Sequence, residues 1–314
     1  MKAMVLTAVG GPENLSLQNI AQPEPKDGQV LVKVHSLSIN PVDVKTRKGG
    51  ALYALLVENG QAILGWDISG VVEAVGPNVT NFKEGDAVFG MVNFPGNGKA
   101  YAEYVAAPAS HLTLKPENST HEEAAATTLA ALTAWQVLVE QANLQRGQSI
   151  LIHAAAGGVG HFAVQLAKHL GATVWGTASA QNQSYLAALG VDHFLDYKSQ
   201  RIADAAHDID VVLDPIGGDT TAQSLAVLKN GGTLVSIVGG VKDHLQPLIQ
   251  EKGLTAKNYL VHSSGTDMQQ LADLLRSGQL KPTISHQFSF AQIPEAHRQI
   301  ESGKTRGKVV VNLT

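Results

Sequence analysis

The residues best placed to do chemistry lie in Ser149–Leu170, which reads SILIHAAAGGVGHFAVQLAKHL. An apolar run, Ile150–Ile152, leads into Ala154-Ala155-Ala156-Gly157-Gly158-Val159-Gly160. A helical stripe of Val159, Phe162, Leu166 and Leu170 follows. Ala154, Gly157 and Gly160 keep an Ala-x-x-Gly-x-x-Gly spacing. Between a strand and a helix, that spacing permits a tight turn whose amides approach a pyrophosphate at the helix N-terminus. Ala156, Gly157, Gly158, Val159 and Gly160 are therefore candidate cofactor contacts. A plain glycine-rich turn is the alternative reading.

The end of the next strand-like run bears on which dinucleotide is bound. NAD sites place Asp or Glu about 20 residues beyond the fingerprint. Here Gly176–Asn182 reads GTASAQN and holds no carboxylate. Nothing in that stretch repels a 2′-phosphate, and Ser179 and Asn182 can donate to one. NADPH is the expected cofactor. No Arg or Lys stands there, so charge has to come from Lys198 or Arg201, beyond the third run.

The elements that must position these residues fall into two patterns. Residues 1–120 carry short β-type runs such as Val30–Val34, Ile68–Val75, Ala87–Val92 and Tyr101–Ala106, separated by Pro- and Gly-rich turns. This half reads as mainly antiparallel β. Near residue 119 the pattern changes. Thr120-His121-Glu122-Glu123 fits a capping box, and a small-residue helix is expected from Ala124 to about Gln141. Strands and helices then alternate. Expected strands are Ile150–Ala154, Thr173–Thr177, His193–Tyr197, Asp210–Asp214, Thr233–Val238 and Tyr259–His262, with helices between them. That alternation predicts βαβ units and a parallel sheet, hence an α/β fold. A last helix, about Met268–Arg276, precedes a tail of β and turn sequence.

Composition narrows the class further. The chain has 314 residues, 44% hydrophobic and 16% charged, enough for about two domains. The net charge of -4 gives no basic excess for a phosphate backbone, so nucleic acid is not expected as a partner. No run of 18 apolar residues exists, so no membrane-spanning helix is expected. With no cysteine, disulfides, thiolate metal sites and a catalytic thiol are all excluded. The first ten residues, MKAMVLTAVG, lack the build of a signal peptide, and a cytoplasmic location is expected.

Several motifs now fall in one order: Asn40-Pro41-Val42-Asp43, Gly65-Trp66-Asp67-Ile68-Ser69-Gly70, Gly85-Asp86-Ala87-Val88, Leu132-Thr133-Ala134-Trp135, His153–Gly160, Asp214 with Gly217-Gly218, Gly231-Gly232-Thr233 and Gly307-Lys308-Val309-Val310. Over essentially its whole length the chain resembles the zinc-free quinone oxidoreductase branch of the medium-chain dehydrogenase/reductase superfamily. The resemblance implies a GroES-like catalytic domain, a Rossmann domain and a cleft between them. The expected boundaries are 1–120, with 277–314 returning to it, and 121–276. A homodimer is also expected.

Zinc-dependent relatives place a Cys where this chain has Asn40, His-Glu where it has Trp66-Asp67, and a third donor at Leu129. Asn, Trp and Leu do not make a zinc site, so no metal is expected. Without a Lewis acid, simple alcohol–ketone chemistry loses its charge stabilisation. A quinone or an α,β-unsaturated carbonyl spreads the charge itself, and a hydrogen-bond donor suffices. The resemblance implies NADPH-dependent reduction of quinones, enals and enones. It places Thr133 near the nicotinamide, Asn40 at the position zinc would hold, and Tyr197 near the adenosine 2′-phosphate. Tyr53, after the Gly49-Gly50 turn, is a candidate donor to the substrate oxygen beside Asn40. Asp43 and Asp67 are candidate acids, Asp43 with a loop-fixing role as its alternative. Gly239, His262 and Ser263 follow the fifth and sixth strands, at the edge where such cofactors bind. Two other functions stay open: an enoyl-thioester reductase, and a non-catalytic NADPH-binding structural or sensor protein.

Overall fold

The computed structural model describes residues 1–50, 52–58 and 62–313. They form two compact units, residues 1–132 with 262–314, and 133–261. In the first unit the strands are Lys2–Leu6 (β1), Leu15–Asn19 (β2), Gln29–Ile39 (β3), Ala62–Ile63 (β4), Asp67–Val75 (β5), Ala87–Met91 (β6), Tyr104–Pro108 (β7) and Leu112–Leu114 (β8). The second unit holds Ser149–Ile152 (β9), Thr173–Ala178 (β10), His193–Asp196 (β11), Ile209–Asp214 (β12), Leu228–Ser236 (β13) and Thr255–Asn258 (β14). The chain then returns to the first unit with Ile284–Ser289 (β15) and Lys308–Asn312 (β16).

The first unit is built on a mostly antiparallel sheet in the order β15-β16-β3-β5-β6-β8, with β7 also on β3. Its central strands bury Val30, Val32, Val34, Ile68, Val72 and Val88 in one core. β-branched residues at alternate positions fit such a pleated, half-buried surface. The C-terminal strand β16 lies between β15 and β3, pairing Val309 with Ile39. Residues distant in sequence thus meet at the sheet's centre.

The second unit is a six-stranded parallel sheet in the order β11-β10-β9-β12-β13-β14. Counted within the unit this is 3-2-1-4-5-6, the Rossmann order. Ile150, Leu151, Ile152, Val212 and Leu213 are fully buried, as strands covered on both faces must be. No helix among the described residues is long and apolar enough to cross a membrane.

The structure moves several expected boundaries. The helix His121–Ala126 packs on β3, β5 and β16, so it sits in the first unit, and the division falls at 132/133 rather than 120/121. The helix Gly265–Arg276 packs on β8, which moves the second division from 276/277 to 261/262. The long helix expected from Ala124 is three pieces, His121–Ala126, Leu129–Trp135 and a π-helical Gln136–Gln141. The sixth parallel strand is Thr255–Asn258, not Tyr259–His262, because its register on β13 runs from Thr233↔Thr255 to Ser236↔Asn258.

One buried cation ties the first unit together. Arg47, at the end of the helix Pro41–Arg47, is fully buried. Its Nε donates to the Gly10 carbonyl (3.0 Å), and Nη2 lies 2.7 Å from Glu301 Oε1, on the helix Ile293–Glu301. Hydrogen bonds from Arg47, then Lys48, hold the Glu301 carboxyl down to about 2. Glu301→Gln leaves Arg47 buried without its counter-ion; because solvent reaches Glu301, the cost falls below the roughly 3–5 kcal/mol of a pair buried on both sides. The urea midpoint of the first unit falls accordingly. Since the Glu301 pKa is depressed in the folded state, its contribution is full above the ordinary value of 4.5 and is lost as pH falls toward 2. A Glu301→Gln midpoint equal to wild type at pH 7 would show that the pair carries no stability.

Candidate active site

Asp67 opens β5 and is fully buried. The antiparallel register sets Ser38 of β3 opposite it, and Ser38 Oγ donates to Asp67 Oδ2 (2.6 Å). Asn40 follows the end of β3, and its Nδ2 donates to the same oxygen (2.7 Å). Oδ1 of Asp67 accepts from the Leu129 amide (3.0 Å), at the start of the helix Leu129–Trp135. Lys308, the first residue of β16, donates from Nζ to Asn40 Oδ1 and lies 3.8 Å from Asp67 Oδ2. Trp66 is buried with its Nε1 donating to the Gly96 carbonyl (2.8 Å). So the residues at the zinc-ligand positions of the resemblance are held in a hydrogen-bonded network.

Asp43 sits below this cluster. Its Oδ2 accepts from the Asn40 amide (2.6 Å), and the Tyr101 hydroxyl also faces its carboxyl. Burial raises its pKa to about 7, and the Asp67 charge adds to the rise. Burial also pulls Lys308 below the usual ammonium range, against the opposing charges of Asp67 and Asp43. Two carboxyls thus face one ammonium in this cluster. The loop-fixing reading of Asp43 matches its bond to Asn40.

The second unit gathers most of the expected cofactor residues at one sheet edge. Ala156–Gly160 follow β9, Ser179 and Asn182 follow β10, Tyr197 follows β11 and Gly239 follows β13. His153, ahead of the glycine turn, is buried. Its Nε2 meets Ser224 Oγ (2.7 Å), whose own proton goes to the Thr220 carbonyl (2.6 Å), so Nε2 carries the hydrogen. Nδ1 then accepts from Thr177 Oγ1 (3.1 Å). Burial lowers the His153 pKa to about 4, so it is a neutral strut.

The turn fits a dinucleotide. The helix Gly160–His169 begins directly after it; the His161 amide donates to the Gly157 carbonyl (3.1 Å) and the Ala163 amide to the Val159 carbonyl (3.0 Å). A Cβ at Gly160 would stand 2.3 Å from the Ala154 carbonyl oxygen and 2.7 Å from Ala155 Cα. Not even a methyl group is tolerated there, a stricter limit than the spacing alone implies. At Gly157 a Cβ would stand 3.1 Å from the Ala154 oxygen. The turn is therefore closed on its own backbone, with its amides at the carboxyl end of the sheet.

At the neighbouring edge, Asn182 Nδ2 donates to Ser179 Oγ (3.1 Å), and the Tyr197 amide donates to the Ala178 carbonyl (3.4 Å). Tyr197 is 59% exposed. The sequence reading missed Asp196, which the register sets opposite Ala178. Its carboxylate accepts from the Lys198 amide (3.1 Å) and Ser199 Oγ (3.0 Å), so it closes its own turn. The loop after β12 is held by Asp214, whose Oδ1 accepts from the Ile216 and Gly217 amides (both 2.9 Å). Gly239 has φ +73 and open space where a Cβ would be.

The remaining expected residues lie elsewhere. Thr133 is buried, four residues beyond Leu129 on the same helix. Tyr53 opens the short helix Tyr53–Leu56, is half-buried and shares no hydrogen bond with the Asn40 network among the described residues. His262 and Ser263 belong to the first unit rather than to a strand end of the parallel sheet. Ser263 exchanges two hydrogen bonds with the backbone of Phe94, its Oγ accepting (2.8 Å) and its amide donating (3.1 Å). Lys308 was visible in sequence as a charge heading an apolar run, but its partners were not.

Residues 26–117 match the model of the alcohol dehydrogenase GroES-like domain, and 189–311 match that of the zinc-binding dehydrogenases. The chain is 36% identical to the 2-methylene-furan-3-one reductase of Solanum lycopersicum, over 99% of this chain and 79% of that protein. It is equally 36% identical to the chloroplastic NADPH-dependent alkenal/one oxidoreductase of Arabidopsis thaliana, with the same coverage. The structure of the quinone oxidoreductase from Coxiella burnetii superimposes with a TM-score of 0.94 at 37% identity, covering 100% of this chain and 99% of that one. The chain therefore belongs to the quinone oxidoreductase-like branch of the medium-chain dehydrogenase/reductase family.

Proposed function

We propose that this protein is an NADPH-dependent reductase that passes hydride to quinones or α,β-unsaturated carbonyls without zinc. The observation that carries the zinc-free reading is the Asn40–Asp67–Lys308 network. It supplies an amide, a carboxylate already accepting three hydrogen bonds and a fixed ammonium, where zinc would need thiolate, imidazole or free carboxylate. The names of the relatives support the same substrates: an alkenal/one oxidoreductase, a furanone reductase and a quinone oxidoreductase.

The bound cofactor supplies hydride. The protein's own residues bind it and stabilise the charge that appears on the substrate. The backbone of Ala156–Gly160 cradles the pyrophosphate at the helix N-terminus. Ser179, Asn182 and Tyr197 hold the 2′-phosphate, with Asp196 turned to its own loop. Thr133 and Gly239 flank the nicotinamide end. One Nδ2 hydrogen of Asn40 goes to Asp67, and the other, which has no acceptor among the described residues, donates to a substrate oxygen. Hydride addition to an enone or quinone spreads charge into an enolate or hydroquinone anion, and such a neutral donor is then enough. Tyr53 is the second proposed donor. The proposed functional unit is a homodimer; among the described residues β14 is an edge strand of the parallel sheet, which a second copy can cover. The cytoplasm is the proposed compartment; a cysteine-free chain needs no oxidising environment.

Four measurements test this reading. The purified protein oxidises NADPH with 9,10-phenanthrenequinone, 1,4-benzoquinone or a short enone and does not reduce NADP with simple alcohols. Dialysis against a strong chelator leaves those rates unchanged. Alcohol oxidation without quinone or enone turnover, or zinc lost together with activity, overturns it. Asn182→Lys adds a charge-assisted contact to the 2′-phosphate, about twice as strong as a neutral one. It lowers the KM for NADPH and leaves that for NADH nearly unmoved; equal effects on both cofactors would remove Asn182 from the phosphate site. Sedimentation equilibrium gives twice the 33.0 kDa chain mass, and a monomer at micromolar concentration refutes the dimer.

A further inference from the structure

The proposed substrate donor Asn40 does not stand alone. Its side-chain amide is gripped at both ends inside the first unit. Lys308 Nζ donates to Oδ1, and Asp67 Oδ2 accepts from Nδ2 at 2.7 Å. Lys308 and Asp67 are themselves 3.8 Å apart, so the three groups form a closed triangle. Lys308 is 2% exposed, Asn40 2% and Asp67 0%. A buried ammonium and a buried carboxylate are costly unless they meet each other and other polar groups. Here each of them also uses Asn40.

The triangle does two things to the amide. It removes the amide flip, because only one orientation gives Lys308 an oxygen and Asp67 a hydrogen. It also polarises the group. A cation on the carbonyl oxygen draws electron density from the amide nitrogen and makes the remaining Nδ2 hydrogen a stronger donor, as in hydrogen-bond chains in a low-dielectric interior. That charge is delivered through a neutral side chain.

We propose that Lys308 is a positioning residue for the reduction: held by Asp67, it fixes and polarises the Asn40 amide so that the spare Nδ2 hydrogen is aimed at the substrate oxygen. The proposal rests on the reading of Asn40 as the substrate donor. The other charged and polar groups facing Lys308 are Asp43, below Asn40, and Ser38, through Asp67. None of them can replace an ammonium on the amide oxygen.

The test is a double-mutant cycle between Lys308 and Asn40, read with NADPH and 9,10-phenanthrenequinone. Lys308→Met lowers kcat by about 10–100-fold, the range seen when a group that orients an acting side chain from behind is lost. The KM for NADPH stays within twofold. Lys308→Arg restores part of kcat, because it keeps the cation. In an Asn40→Ala background, Lys308→Met has no further effect. Equal losses in both backgrounds would overturn the proposal while leaving Asn40 as a donor. An Asn40→Ala enzyme with wild-type kcat would instead overturn the reading of Asn40 itself.

If Lys308→Met does not fold, Asp67→Asn/Lys308→Met removes both buried charges at once and is expected to fold with the same loss of kcat. A readout independent of turnover completes the test. In 15N spectra the Asn40 side-chain amide, assigned by its disappearance in Asn40→Asp, moves upfield in the double variant as its polarisation is lost. An unmoved signal would show that Lys308 does not act on Asn40.

Discussion

A carboxylate sealed from water at the start of a strand sets the terms for the first unit. Asp67 is accommodated there because Ser38, Asn40, the Leu129 amide and Lys308 surround it. Those groups come from β3, β16 and the helix Leu129–Trp135, so one charge dictates how three separate elements converge. Removing any partner would leave a buried charge with too few contacts, a penalty large against the usual 5–15 kcal/mol of net stability. The cluster is thus a structural hub and a candidate chemical site at once. The same bonds that stabilise it also orient the amide of Asn40.

The second unit solves a different problem with backbone alone. The loops after its strands include the closed Ala156–Gly160 turn, whose residues are small, and the exposed Tyr197 after β11. Gly160 is held so tightly against Ala154 and Ala155 that packing, rather than ligand contact, explains its lack of a side chain. His153, Asp214 and Ser236 brace the adjoining loops from below; Ser236 Oγ accepts from the Gly240 amide at 2.8 Å. Charge is sparse along this edge, consistent with recognition by amides and neutral side chains.

How much was legible in the sequence follows from where the information sits. The central strands of the parallel sheet were readable because burial on both faces demands unbroken apolar runs such as Ile150–Ile152. The sixth strand was misplaced because Thr255–Asn258 is an edge strand of mixed, half-exposed residues, while the more β-like Tyr259–His262 carries Leu260 at 55% exposure. The helices Pro41–Arg47 and Ile293–Glu301 went unread; the Arg47–Glu301 bond that joins them is a tertiary fact. In the site, the glycine fingerprint is local and was legible. The Asn40–Lys308 bond spans 268 positions, and no local pattern predicts it.

That separation also has a consequence for how the chain is made. A ribosome adding about 5–20 residues per second needs roughly 13–54 s to get from Asn40 to Lys308. The second unit is one uninterrupted stretch and has fully emerged before then. The nascent first unit meanwhile lacks β16, the strand that joins β15 to β3, and the only ammonium that touches Asn40 among the described residues. Its carboxylates stay hydrated, and its sheet stays open between β15 and β3. The first unit is therefore completed last, when β16 pairs between β15 and β3 and carries Lys308 with it.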